Sequence, residues 1–168
     1  MQKERYSMKN IVLIGMMGCG KTTIGKLLEK RLNRKMIDID EYIEKKYHMS
    51  ISQMFEISQD YFRKRETICC KELASLDGYI ISTGGGVVCN QENMDALKKN
   101  AIVFYLDRPV ENIIGDIDVA SRPLLKDGTN KLYELYKQRH ALYIKACDYH
   151  IINNGDIDKV IENIISYI

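Results

Sequence analysis

The chain has 168 residues, 45% hydrophobic and 29% charged, enough for one sizeable core and short for two domains. Its 25 basic residues against 23 acidic ones leave a net charge of +2, which is no electrostatic footprint for nucleic acid or an anionic membrane surface. No apolar run approaches a bilayer span, the opening MQKERYSMKN lacks a signal-peptide core, and the 5 cysteines include no C-x-x-C pair, so a cytoplasmic chain without disulfides or a metal knuckle is expected.

The first element is the apolar run Ile11–Ile14, which reads as a buried parallel strand. It runs into G15-x-x-x-x-G20-K21-T22, the Walker A spacing, in which backbone amides cradle phosphates, the lysine reaches the β/γ-phosphates and the threonine hydroxyl goes to Mg²⁺. Helical spacing at Ile24, Leu27, Leu28 and Leu32 then predicts a helix whose N-terminus points at the loop. Cys19, beside that N-terminus and a lysine, is expected to lose its proton readily, and to be alkylated without nucleotide and shielded by it.

A second strand is predicted over Lys35–Ile39. It ends in DID, where alternation along an extended segment would put Asp38 and Asp40 on one side, free to share metal and substrate duties. The plainer alternative is that Asp40 only caps a helix starting near Glu41. In the following YFRKRE, Arg63 taken by itself reads first as part of a solvated helix face with Lys64, Arg65 and Glu66, and second as a ligand-binding residue.

A third strand, Tyr79–Ser82, leads into STGGG. Three successive glycines, Gly84, Gly85 and Gly86, are costly to order and allow close backbone approach. The fourth, Ala101–Leu106, leads into LDRPV, with Pro109 suited to a helix start. Ile117 to Gly128 then breaks the periodicity and reads as a mobile segment over the site, carrying Arg122; the whole lid is set at roughly 112–127.

A helix near Lys131–Lys145 has an apolar face at Leu132, Leu135, Tyr136, Leu142 and Tyr143, with Arg139 in its middle. A guanidinium on such a face calls for an anion, either a ligand or the carboxylate of a buried ion pair. A fifth strand, Tyr149–Ile152, a turn at Asn153–Gly155 and an amphipathic helix at Val160, Ile161, Ile164, Ile165 and Ile168 close the chain. His48, His140 and His150 have no metal-ligand spacing and receive no role. Strands alternating with helices predict an α/β domain over 1–168, a five-stranded parallel sheet sandwiched by helices, with chemistry at the carboxyl ends of the strands.

The phosphate loop, DID, FRKRE, STGGG, RPLL and the arginine helix occur in the order and at about the spacings of the shikimate kinases, which the chain resembles along almost its whole length. The resemblance implies a P-loop fold of the nucleoside-monophosphate-kinase type with a small mobile lid. It also implies transfer of the γ-phosphoryl of ATP to the 3-hydroxyl of shikimate, in aromatic amino-acid biosynthesis, with one Mg²⁺ per subunit. Gly18, Cys19, Gly20, Lys21, Thr22 and Thr23 look like the nucleotide cradle, with Thr22 a metal ligand and Asp38 a metal partner through water. Lys21, Asp40 and Arg122 look catalytic, Asp40 taking the hydroxyl proton without needing a raised pKa. Asp40, Gly84, Gly85, Gly86, Arg63 and Arg139 look like the shikimate site, with both arginines on its carboxylate, and Arg122 like the lid arginine that meets ATP phosphates. A monomer is the usual state of the family, with shikimate and ATP as the only partners and neither nucleic acid nor membrane.

The chain departs from the family at two places. Gly115 stands where an arginine usually flanks the adenine, and MFEISQDYFR is one residue short and lacks a customary Gly-Glu, which leaves the helix turn before Arg63 open. Two rivals remain: another small-molecule kinase, of gluconate or nucleoside type, that needs no carboxylate clamp, and a non-catalytic nucleotide-dependent switch.

Overall fold

A computed structural model describes residues 8–116 and 129–168. Arg122, and with it the segment 117–128 expected to form most of the lid, lies outside the described residues.

A single sheet of 5 parallel strands forms the centre, in the order β2-β3-β1-β4-β5. The strands are β1 (Asn10–Ile14), β2 (Met36–Asp38), β3 (Ile80–Ser82), β4 (Ala101–Asp107) and β5 (Tyr149–Ile152). β1 lies in the middle, in register with β3 through Val12 opposite Ile81 and with β4 through Val12 opposite Val103. Every residue of β1 is buried, because helices cover both faces.

On one face lie α1 (Lys21–Leu32) and α8 (Ile157–Ile165), which pack Ile24, Leu28, Val160, Ile161 and Ile164 against Ile11, Leu13, Phe104 and Leu106. On the other lie α2 (Ile39–Tyr47), α3 (Ile51–Ile57), α4 (Gln59–Leu73), α5 (Gln91–Lys98), α6 (Val110–Asp116) and α7 (Asn130–Ala146), over Val12, Ile14, Val103 and Tyr105. The chain leaves β1 toward β3 and β2, then returns to the opposite side for β4. The crevice where the strand order reverses therefore opens at the carboxyl end of β1, where the phosphate loop begins.

Two local expectations change. β2 stops at Asp38, and Ile39 begins a helix instead of extending the strand. The cause is Asp38 itself: its Oδ1 accepts from the backbone N–H of Asp40 at 2.9 Å and of Glu41 at 3.2 Å, so Asp38 caps α2 and Asp40 occupies its first turn. Strand alternation is thus not what brings these carboxylates together, and the cap is not Asp40. The α3–α4 turn, left open above, is a single residue: Ser58 ends α3 and caps α4, its hydroxyl accepting from Tyr61 N at 3.0 Å. The compact turn accommodates the shortened sequence before Arg63. Of the segment expected to form the lid, residues 112–116 lie in α6.

Candidate active site

The phosphate loop takes shape because its glycines adopt backbone angles that other residues avoid. Gly15, Gly18 and Gly20 have φ of +147°, +75° and +102°. Gly20 caps α1 without a side-chain acceptor, and the first turn of α1 holds no acidic residue, so the positive helix end faces the loop uncompensated. The Lys21 side chain folds back inside the loop, where Nζ donates to Gly15 O at 2.7 Å and Met16 O at 2.8 Å. Cys19 is 0% exposed, with Sγ 3.5 Å from Lys21 Nζ. The expectation of an alkylatable thiol is overturned, because the loop buries the sulfur without help from a nucleotide.

Thr22 and Asp38 meet at the mouth of the loop, the hydroxyl donating to Asp38 Oδ2 at 3.3 Å. One hydroxyl and one carboxylate are hard oxygen donors of the kind Mg²⁺ takes alongside waters and phosphate oxygens.

The glycine triplet adjoins this loop, and each of its members makes room for a different charged side chain. A methyl group placed on Gly84 would lie 3.2 Å from Asp40 Oδ1 and 3.5 Å from Glu66 Oε2. On Gly85 it would lie 3.3 Å from Arg139 Nη1 and 3.4 Å from the backbone nitrogen of Met17 in the phosphate loop. On Gly86 it would overlap the Arg63 guanidinium. None of the three has a positive φ, so space, and not backbone freedom, is what requires glycine here. Tyr143 fixes the middle one, its hydroxyl donating to Gly85 O at 2.5 Å.

Three helices supply the charged groups. Asp40 comes from the first turn of α2. Burial, then the neighbouring carboxylates of Asp38 and Glu66, push its pKa up to about 6, against a smaller opposing pull from Lys21. The role expected of Asp40 does not require a raised pKa, and the fold raises it nonetheless. Arg63, on α4, pairs with Glu66 through Nη1 to Oε1 at 2.8 Å, its guanidinium lying over the Phe62 ring at 5.2 Å. Glu66 is 1% exposed, and its Oε2 has no hydrogen-bond partner among the described residues. Burial raises its pKa, while the Arg63 and Arg139 charges act to lower it.

Arg139, on α7, is half-buried beside Gly85, on the same helix face as Tyr143 one turn on. The core face of α7 is made by Leu132, Tyr143 and Ala146, with Leu135 and Tyr136 at its margin; Leu142, placed on that face from periodicity, is 37% exposed. Arg139 thus stands at the border of the apolar stripe, where an aliphatic stem can be buried and a guanidinium can face the cleft.

The structure gathers Asp40, Arg63 and Arg139 around the glycine triplet, which abuts the phosphate loop with Lys21, Thr22 and Asp38. It adds Glu66 and Tyr143, which the sequence reading passed over. Glu66 was legible: Phe62, Glu66, Cys69, Cys70 and Leu73 all fall on the buried face of α4 at helical spacing. His140 and His150 gather instead around Asp107 and Tyr105; His150 Nε2 sits 2.7 Å from Asp107 Oδ2, and Tyr105 OH 2.9 Å from His140 Nδ1. Among the described residues, none lies within 4 Å of a methyl group placed on Gly115.

The family model for shikimate kinase matches residues 17–168. The chain is 52% identical over 158 residues to a shikimate kinase of Clostridium botulinum, covering 94% of this chain and 96% of that one. Its fold matches a shikimate kinase from Acinetobacter baumannii solved in complex with shikimate, with TM-score 0.88 and 36% identity, over 95% of this chain and 92% of the other. A sugar kinase from Janibacter, at TM-score 0.64 and 17% identity over 95% and 94% of the two chains, shares the fold alone. With the family model covering most of the chain and close relatives aligned nearly end to end, this chain belongs to the shikimate kinase family.

Proposed function

We propose that this enzyme transfers the γ-phosphoryl group of ATP to the 3-hydroxyl of shikimate, with the residues around the glycine triplet as its acceptor site. The observation that carries the reading is Gly85, which sits between Arg139 and the backbone of Met17 in the phosphate loop. Around the triplet two guanidiniums and a carboxylate lie next to the phosphate loop.

Each role follows from chemistry. A guanidinium matches a carboxylate in two parallel hydrogen bonds, and Arg63 and Arg139, from different helices, fix a small carboxylic acid in one orientation. Glu66 holds Arg63 in place. Asp40, across Gly84, accepts the proton of the hydroxyl that attacks; with a pKa of about 6 it is ionised at neutral pH yet basic enough to take a proton as the new bond forms. Lys21 supplies positive charge within the loop, and Arg122 would add to it at the γ-phosphate. Thr22 and Asp38 would hold Mg²⁺, one per subunit, which when bound neutralises charge on the β- and γ-phosphates. Positioning and charge then account for most of the rate, as in phosphoryl transfer generally.

No helix among the described residues is long and apolar enough to cross a membrane. That the enzyme works as a monomer in the cytoplasm belongs to the same proposal and rests on the resemblance alone.

The test is ADP release from Mg-ATP with and without shikimate, in wild type and Arg139→Ala. Release that needs shikimate and collapses in the variant supports the reading. No shikimate-dependent release from folded, ATP-binding protein would overturn the acceptor, and sugar acids and nucleosides would be screened next.

A further inference from the structure

Four backbone carbonyls of the phosphate loop are held by side chains. Lys21 takes those of Gly15 and Met16. The other two are held from outside: Arg108 Nη1 donates to Gly18 O at 2.9 Å, and Asn153 Nδ2 to Cys19 O at 2.9 Å.

Neither outside donor belongs to the motif. Arg108 is the first residue after β4 and Asn153 the first after β5, and their strands are tied together there, since Asn153 N donates to Asp107 O at 2.8 Å. Asn153 is 4% exposed, a buried amide whose position is fixed. The Arg108 side chain is 18% exposed; its Nη2 pairs with Asp116 at the end of α6, and its Nε is buried without a partner among the described residues.

In a trans peptide the carbonyl and the following N–H point in opposite directions, so holding one aims the other. Pinning the Cys19 carbonyl fixes the direction of the Gly20 N–H at the start of α1. Pinning the Gly18 carbonyl fixes the plane carrying the Cys19 N–H, which closes the turn on Met16 O at 3.2 Å. Lys21, if it moves onto a phosphate, releases its two carbonyls. Arg108 and Asn153 then become the side-chain supports that keep the loop in its receiving shape.

We infer that Arg108, assisted by Asn153, is a positioning residue for nucleotide binding that holds the far side of the phosphate loop in place. The inference rests on the functional reading above. It also gives the nucleotide side of this enzyme an arginine anchored on β4, near the helix where Gly115 replaces the usual one.

Binding of ADP and of shikimate, each by calorimetry, together with melting temperature, tests it in wild type, Arg108→Met, Arg108→Lys, Asn153→Ala and Asp116→Asn. Methionine keeps the apolar stem and removes the donors. Arg108→Met is expected to weaken ADP about tenfold, the scale of one hydrogen bond from a charged donor. Shikimate affinity should stay within about twofold of wild type, Arg108→Lys should recover part of the loss, and Asn153→Ala should act in the same direction. Asp116→Asn, which leaves the Gly18 contact intact, should bind ADP as wild type does. An unchanged ADP affinity in Arg108→Met, or equal loss of both ligands alongside a fall in melting temperature, would overturn the inference. Failure of the wild type itself to bind ADP would overturn the functional reading beneath it.

Discussion

Gly86 lies against the guanidinium of Arg63 with no room for a methyl group between them. Arg63 Nη1, one of the atoms such a methyl group would meet, is also the atom paired with Glu66, so stepping aside would strain an ion pair whose carboxylate is buried. Gly86→Ala is therefore expected to raise the KM for shikimate about tenfold or more, the cost of one displaced charged hydrogen bond, while the KM for ATP holds. Gly84→Ala, whose methyl group would need Asp40 to give only a few tenths of an ångström, should be milder. Steady-state kinetics with each substrate varied in turn checks both.

Asp40 sets the acidic limb of the pH profile. With its pKa at about 6, kcat/KM should fall as pH drops through that value. Glu66 is among the charges that raise it, so in Glu66→Gln the limb should move to lower pH. Asp40→Asn should abolish most activity.

The same group predicts an effect on stability with the opposite sign to the usual carboxylate. The folded chain binds the Asp40 proton more tightly than the unfolded chain, whose carboxyl has its ordinary value of 3.8. Stability from this site is therefore full below pH 3.8 and declines as pH rises to about 6, by about 3 kcal/mol at most. Asp40→Asn removes the ionisation, so it should raise the melting temperature at pH 8 relative to wild type and do little at pH 4. Scanning calorimetry at both values decides.

Glu66 serves the site more than the stability of the fold. Its carboxylate is buried, with one oxygen unpartnered among the described residues and its pKa raised by burial. Glu66→Gln removes the buried carboxylate but leaves Arg63 without its anion; because the Arg63 side chain keeps 23% of its exposure, water takes over part of that pairing and the melting temperature should change little. Arg63 loses its anchor, and the KM for shikimate should increase several-fold, on the order of a lost charged hydrogen bond. A fall in stability with unchanged KM would contradict this.

Thiol reactivity separates the cysteines. Cys89 is exposed, whereas Cys19, Cys69 and Cys70 are buried. Burial also pushes the Cys69 thiol up to about 11. Brief alkylation of native protein followed by peptide mass spectrometry should find label on Cys89, and on Cys19 at no appreciable rate with or without ADP.

The central sheet was readable because strands buried on both faces leave unbroken apolar runs, as in Ile11–Ile14 and Ala101–Leu106. The phosphate loop was readable because its chemistry is packed into consecutive residues. DID was harder, since the same three residues suit an extended strand or a capped helix, and only the hydrogen bonds of Asp38 choose between them. Glu66 was overlooked through attention to its charged neighbours and not to the apolar stripe it shares. Arg108 and Asn153 reach the phosphate loop across 90 and 134 residues of chain, so no local pattern announces either contact.

The three glycines after β3 answer to side chains from α2, α7 and α4 in turn. This arrangement also constrains descent. A lineage drifting toward a bulkier or uncharged acceptor would have to replace a glycine and its opposing side chain together, and those partners lie far apart in the gene. Single steps meet a collision or an empty space, which makes the acceptor pocket slow to diversify even where the surrounding surface is free to change.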